Sequence, residues 1–413
     1  MSKVICSLPW NHISVNPHGW SSVCCEANWD SEQSTARNKG EDPVHISEGI
    51  EKVINSDTFK DIRKEMLAGE VPDACMSCYK IEQVGGHSKR LRSQIPPKNL
   101  SSITKDDGYI NPALSNIELR LGNFCNLKCR SCNAESSTSW IDDYNKLKDK
   151  IEMPSSYDHI LSRGIDYDWV EDPDIYLDLL KNIYNPEVLH ISGGEPFLVD
   201  KHSYLLDLLI EKDLAKLVVQ LKAMSDNASY NFDKITPILD KLINFKQVVI
   251  NFSLDDINER NDYIRKLSKF ETVIDNIKKF TSKYKFIFNI TQTIHIFNFL
   301  YLEELHILLE KEGLYKKDNT GIIRNINDNF VVYPDYHNVN TLPLNIRREK
   351  IDKLEGVVNQ SFFERVKKTF YNSPYNNLRD KFISTTMEVD KVRRENMKDV
   401  FPKLNNIINV SYK

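Results

Sequence analysis

The sequence predicts an α/β fold: a partial barrel of six βα units, with a small cysteine-rich α+β module before it and helices after it. Three observations carry that prediction. From about residue 116 short apolar runs alternate with amphipathic segments. All eight cysteines, at positions 6, 24, 25, 75, 78, 125, 129 and 132, lie before residue 133. Beyond residue 345 the apolar residues recur at helical spacing only, as in Phe362, Val366 and Phe370. The expected divisions are therefore 1–110 for the module, 111–345 for the barrel and 346–413 for the helical extension.

Strands are expected over 117–121, 188–192, 217–222, 248–254, 286–294 and 330–333. Helices are expected between them, over 136–148, 175–183, 204–211, 232–243, 273–284 and 302–310. The run 151–172, with Pro154, Ser155, Ser156 and Gly164, reads as an insertion before the second strand. In folds of this kind functional residues gather at the C-terminal ends of the strands.

With 413 residues and 40% hydrophobic content, the chain can bury one large core or two ordinary ones. Net charge is −4 with the two signs intermixed, which gives no global case for nucleic acid or an anionic membrane. The basic group Lys89-Arg90-Leu91-Arg92 reads as solvated surface. The N-terminus lacks a secretory pattern, and no window reaches the roughly 18 apolar residues of a membrane span. These features predict a cytoplasmic protein whose thiols stay reduced, so crowded cysteines point to metal rather than disulfides.

In the first module Gly19 suits a tight reversal between strands at 4–8 and 20–24, which would bring Cys6 and Cys24 together. A helix over 51–67 then leads into Cys75-Met-Ser-Cys78, whose two sulfurs complete four ligands. Four such thiols suit zinc or a fully coordinated [4Fe-4S] cluster, and spacing leaves both open. Cys25 is surplus and reads as a spectator, and His87 reads as surface.

Cys125-x3-Cys129-x2-Cys132 follows the first barrel strand directly. Three thiolates can hold three irons of a [4Fe-4S] cube and leave the fourth open to an outside ligand; three reduced thiols, or part of a zinc site, are the plainer alternatives. After the second strand comes Ser192-Gly-Gly-Glu-Pro196, where paired glycines allow close backbone approach and a carboxylate can accept from an ammonium group.

Together these motifs resemble the radical S-adenosylmethionine (radical SAM) enzymes. The resemblance implies a partial (β/α)6 radical SAM barrel with a cluster on Cys125, Cys129 and Cys132. It implies that the open iron chelates SAM, that one electron cleaves SAM to a 5′-deoxyadenosyl radical, and that Gly193, Gly194 and Glu195 hold the SAM amino group. The segment Asn251-Phe-Ser253-Leu-Asp255-Asp256, with Arg265 beyond it, is similar to a Ser-Leu-Asp-Gly…Arg segment of the family; it implies SAM contacts from Ser253 and a carboxylate partner in Arg265. Asn227 stands where the family often has a ribose or substrate contact. Two residues depart from the pattern: Asp256 replaces a glycine, and Ser131 replaces an aromatic that faces adenine.

Cys6-x12-Gly19-x4-Cys24 with Cys75-x2-Cys78 resembles the twitch module, a short form of the SPASM domain that carries an auxiliary [4Fe-4S] cluster. Here it precedes the barrel instead of following it. The resemblance implies hydrogen abstraction from a small-molecule or peptide substrate with net oxidation through the second cluster, and a flavodoxin- or ferredoxin-like electron donor. Redox-neutral radical chemistry with a structural auxiliary site, and a non-catalytic iron–sulfur or zinc protein, are the alternative readings. No catalytic acid or base stands out among the many carboxylates.

Overall fold

The computed structural model describes residues 4–27, 34–83, 88–93, 99–152, 168–225, 229–315 and 325–408. Asn227, His87 and most of the expected insertion at 151–172 lie outside the described residues. Two compact units emerge: Met1–Asn123 with Arg163–Ala223 and Pro237–Val248, and Phe124–Ser162 with Met224–Thr236 and Val249–Lys413.

The first unit carries strands β1 (His12–Val15), β2 (Ser21–Ser22), β3 (Leu114–Leu119), β4 (Ile183–Ile191) and β5 (Gln220–Ser225). They run in the order β2-β1-β3-β4-β5, antiparallel between β1 and β2 and parallel elsewhere. The N-terminal hairpin forms, but displaced from the expected strands at 4–8 and 20–24. Pro9 opens a helix, Leu8–Asn11, so the chain becomes extended only at His12. Gly19 turns the hairpin as expected: its φ is +75°, and a Cβ there would overlap His45.

The helix expected over 51–67 is two helices, Ile50–Ile54 and Asp57–Ala68. Asn55 breaks it because its side chain exchanges two 3.0 Å hydrogen bonds with the backbone of Ile110, competing with the helix's own bonds. Helix Pro173–Asn182 begins where a sequence rule would put it: Asp172 accepts from the Asp174 amide, and proline fills the first turn.

The second unit carries three parallel strands, β6 (Val248–Ser253), β7 (Ile287–Ile294) and β8 (Ile326–Phe330). The last lies before the expected 330–333. Its core joins Phe297, Phe299 and Leu302 to the extension helices through Phe362, Phe363, Val366, Phe370 and Phe382. Helix Gln360–Phe370 follows the expected stripe, with Asn359 capping its start.

In both units the strands are apolar on one face and polar on the other. Ile117, Leu119, Leu189, Ile191 and Leu221 are buried on one side of the first sheet; Glu118, His190 and Lys222 share the other. In the second unit Ile250, Phe252, Phe288 and Ile290 alternate with Asn251, Ser253, Asn289 and Thr291. Parallel sheets covered on both faces read as continuous apolar runs, so this alternation marks a polar interior.

Burial holds several histidines far below their ordinary value: His12, His202 and His295 at about 4 and His306 at about 3. The native chain refuses protons that the unfolded chain accepts near pH 6.5. Their stabilisation is therefore fully present above pH 6.5 and is lost as pH falls toward 4, at up to about 1.4 kcal/mol per pH unit for each. Both His306 ring nitrogens lack hydrogen-bond partners among the described residues, and the ring packs 4.2 Å from that of Phe362. His306→Leu should raise stability and flatten the acid limb, read from urea midpoints between pH 7 and 5.

Candidate active site

The three-cysteine loop is held inside the second unit from two sides. The amides of Lys128 and Arg130 donate to the carbonyls of Lys266 and Ile264, at 3.1 and 2.8 Å. These bonds bring Arg265, between the two acceptors, against the loop. Its Nη1 lies 3.5 Å from Cys129 Sγ and its Nε 2.9 Å from Asp255 Oδ2. Asp255 is fixed in turn by the Thr293 amide, 2.8 Å from Oδ1. Cys125 is buried, its sulfur accepts from the Leu127 amide at 3.4 Å, and its carbonyl accepts from Ser139 Oγ at 2.7 Å. The indole of Trp140 donates to the Cys129 carbonyl at 2.8 Å. Ser253, at the end of β6, is buried in the same unit.

Asp256, in place of a glycine, turns inward. Its Oδ1 accepts from the Ile257 amide and from Arg260 Nε, at 2.8 and 3.0 Å. Burial raises its carboxyl to about 7, against the pull of Arg260.

The C-terminal extension does more than ordinary packing. Arg130, inside the cysteine motif, is buried; its guanidinium reaches Asp390 Oδ1 at 2.5 Å and Glu395 Oε2 at 2.8 Å, and lies 3.6 Å from the Tyr263 ring centre. Asp143 bridges Lys128 and Arg393, each at 2.7 Å. Helix Arg379–Arg393 thereby pins both ends of the loop's middle segment. Nothing in the sequence spacing announces these pairs, since about 250 residues separate the partners.

In the first unit Gly193 and Gly194 have φ of +87° and +53°. A Cβ on Gly193 would lie 2.8 Å from Arg120 Cβ and 3.1 Å from the Gly122 carbonyl oxygen, so only glycine fits. Glu195 is fully buried and accepts from the Phe197 amide at 3.3 Å. His202, which the sequence reading passed over, supports this turn. Its Nδ1 lies 3.0 Å from the Pro196 carbonyl, and its Nε2 accepts from the Leu121 amide at 3.4 Å.

The four N-terminal cysteines also gather in this unit. Burial raises Cys6 to about 11, with Cys78 adding to the rise; it raises Cys75 to about 12, with Cys6 and Cys78 adding. Burial holds Cys24 well above its ordinary value, and Cys25, Cys75 and Cys6 push it further. None of the eight cysteines forms a disulfide. Among the described residues, no three His, Cys, Asp or Glu side chains close on one metal-binding point.

Cys25 is not a bystander, and of the basic group beside it Leu91 and Arg92 are exposed as expected, whereas Lys89 and Arg90 turn inward. Lys89 Nζ donates to Cys25 Sγ at 2.8 Å and to Glu118 Oε2 at 3.0 Å, while Arg90 is buried against Glu82.

Soft sulfur donors with amide and guanidinium hydrogens aimed at them fit an iron–sulfur cluster on Cys125, Cys129 and Cys132, since such hydrogen bonds are what tune cluster potentials. The thiols of Cys6, Cys24 and Cys78, all buried, and of half-buried Cys75 fit a second metal group equally well in donor chemistry.

Residues 119–311, from the end of β3 through the helix Leu302–Lys311, match the model of the Radical SAM superfamily. That stretch contains the three-cysteine loop. No curated protein matches the chain. Among solved structures, native anSMEcpe with bound AdoMet is similar at a TM-score of 0.35 and 15% identity, over 56% of this chain and 57% of that one. Native anSMEcpe with bound AdoMet and Kp18Cys peptide gives 0.36 and 14%, over 60% and 63%. The chain thus covers less than two thirds of either structure, and likeness this slight bears on neither substrate nor partner. Among the described residues, no helix is long and apolar enough to cross a membrane.

Arg130→Met leaves Asp390 buried without its cation, a change that typically costs about 3–5 kcal/mol. A fall in urea midpoint of that size is expected, together with weaker iron retention in reconstituted protein.

Proposed function

We propose that the chain is a radical SAM enzyme that binds SAM at a [4Fe-4S] cluster on Cys125, Cys129 and Cys132. The observation that carries this reading is the contact of Arg265 with Cys129 Sγ, made inside the segment that matches the superfamily. When bound, the cluster supplies the electron that cleaves SAM to a 5′-deoxyadenosyl radical, which takes hydrogen from a small-molecule or peptide substrate.

The chain's own residues bind, orient and exclude water. Arg265, braced by Asp255, offers a planar guanidinium to the SAM carboxylate and a positive charge to the cluster sulfur. Ser253 is proposed as a further SAM contact, and Gly193, Gly194 and Glu195 are proposed to hold the SAM amino group. Asn227 is proposed for the ribose or substrate. The clamp through Arg130 and Asp143 keeps the loop from yielding when the cluster changes charge.

Cys6, Cys24, Cys75 and Cys78 are proposed to hold a second [4Fe-4S] cluster in a twitch-like module. Held by these four thiols, such a cluster would accept or relay the substrate's electron, and the net reaction would be an oxidation. A flavodoxin- or ferredoxin-like protein is the proposed electron source and the cytoplasm the proposed location.

Anaerobic reconstituted protein, given SAM and dithionite, should release 5′-deoxyadenosine. Alanine at Cys125, Cys129 and Cys132 should abolish the product. Arg265→Met should lower its rate about 10- to 100-fold, the worth of one charged hydrogen bond. Undiminished product from the triple variant would refute the assignment.

A further inference from the structure

The polar face of the first unit's sheet carries a row of ionisable residues in register. Glu118 on β3 stands opposite His190 on β4, which stands opposite Lys222 on β5. Side chains in such a row lie on one face at one level. Glu118 is already satisfied: against burial, His190, Lys89 and His12 hold it well below its ordinary value, with Lys89 Nζ 3.0 Å from Oε2.

Lys222 is not. No carboxylate among the described residues pairs with it, although most of its side chain is withdrawn from water. Burial lowers its proton affinity, and the neighbouring cations Lys89 and Arg92 lower it further. His190 Nε2 is also buried without a hydrogen-bond partner among the described residues, while Nδ1 faces Glu118 Oε1 at 3.7 Å. Lys89 already takes Glu118, which leaves Lys222 without a carboxylate among the described residues. A withdrawn, unmatched ammonium is costly unless an anion arrives from outside.

We infer that Lys222, with His190 Nε2 beside it, forms a subsite for an anionic group of the substrate, a carboxylate or a phosphate. The inference names a substrate class for the radical SAM reading and rests on that reading for calling the ligand a substrate. An ammonium with three rotatable donors suits a tetrahedral or planar oxyanion, and an imidazolium whose Nδ1 faces Glu118 donates to the same anion from Nε2. Arg265 is assigned to the carboxylate of SAM, which leaves this row for the second reactant.

The test is calorimetric titration of the anaerobic, iron-loaded full chain with inorganic phosphate, N-acetyl-L-glutamate and SAM. One of the first two probes should bind saturably, and Lys222→Met should weaken it about 10-fold or more. Lys222→Arg, which keeps the charge, should restore most of the affinity, separating lost charge from damaged folding. The inference is overturned if neither probe binds the wild type or if Lys222→Met leaves the binding unchanged. It is also overturned if the variant loses SAM instead, which would make the anion SAM's own carboxylate. Probe binding through Lys222 in a protein that cleaves no SAM would sink the radical SAM reading and leave the anion subsite standing.

Discussion

The three-cysteine loop spans eight residues, and a buried ion-pair clamp holds it from behind. Arg130 sits between the second and third cysteines and binds Asp390 and Glu395, while Asp143 ties Lys128 to Arg393. Such pairs seldom add net stability over apolar packing, but breaking one partner is expensive, so they enforce a single geometry. Arg265 approaches the Cys129 sulfur because the same loop is bonded through its backbone to residues 264 and 266. Position, charge and loop shape are one arrangement.

The second organising feature is the polar face of the parallel strands. Asn251 Oδ1 accepts from Asn289 at 2.8 Å and from Asn327 at 3.3 Å in one unit, while Glu118, His190 and Lys222 lie in register in the other. A sheet built only for stability would fill those positions with branched apolar side chains. Polar rows are costly to bury without partners, and their presence is the physical sign of a ligand-facing interior.

Much of this was written in the sequence, and the rest could not have been. The strands over 248–253 and 287–294 and the helix ending at Phe370 follow local periodicity, which composition alone sets. Cys125, Cys129, Cys132 and the Gly193-Gly194-Glu195 turn were visible because each motif lies within a few consecutive residues. The broken helix at Asn55 was not, because a tertiary bond to Ile110 overrides local propensity. Lys89 read as surface for the same reason: its burial depends on Glu118 and Cys25, both distant in sequence. The clamp through Asp390 and Arg393 hid in a helix whose apolar stripe looked like plain packing, since charge pairing across 250 residues leaves no periodic trace.

The most direct measurement is anaerobic iron, sulfide and zinc analysis of the wild type beside two variants, one with alanine at Cys125, Cys129 and Cys132 and one with alanine at Cys6, Cys24, Cys75 and Cys78. Two [4Fe-4S] clusters predict about eight irons and eight sulfides in the wild type and about four of each in either variant. Zinc in the N-terminal set, or iron unchanged when the three-cysteine loop is emptied of thiols, would contradict the account.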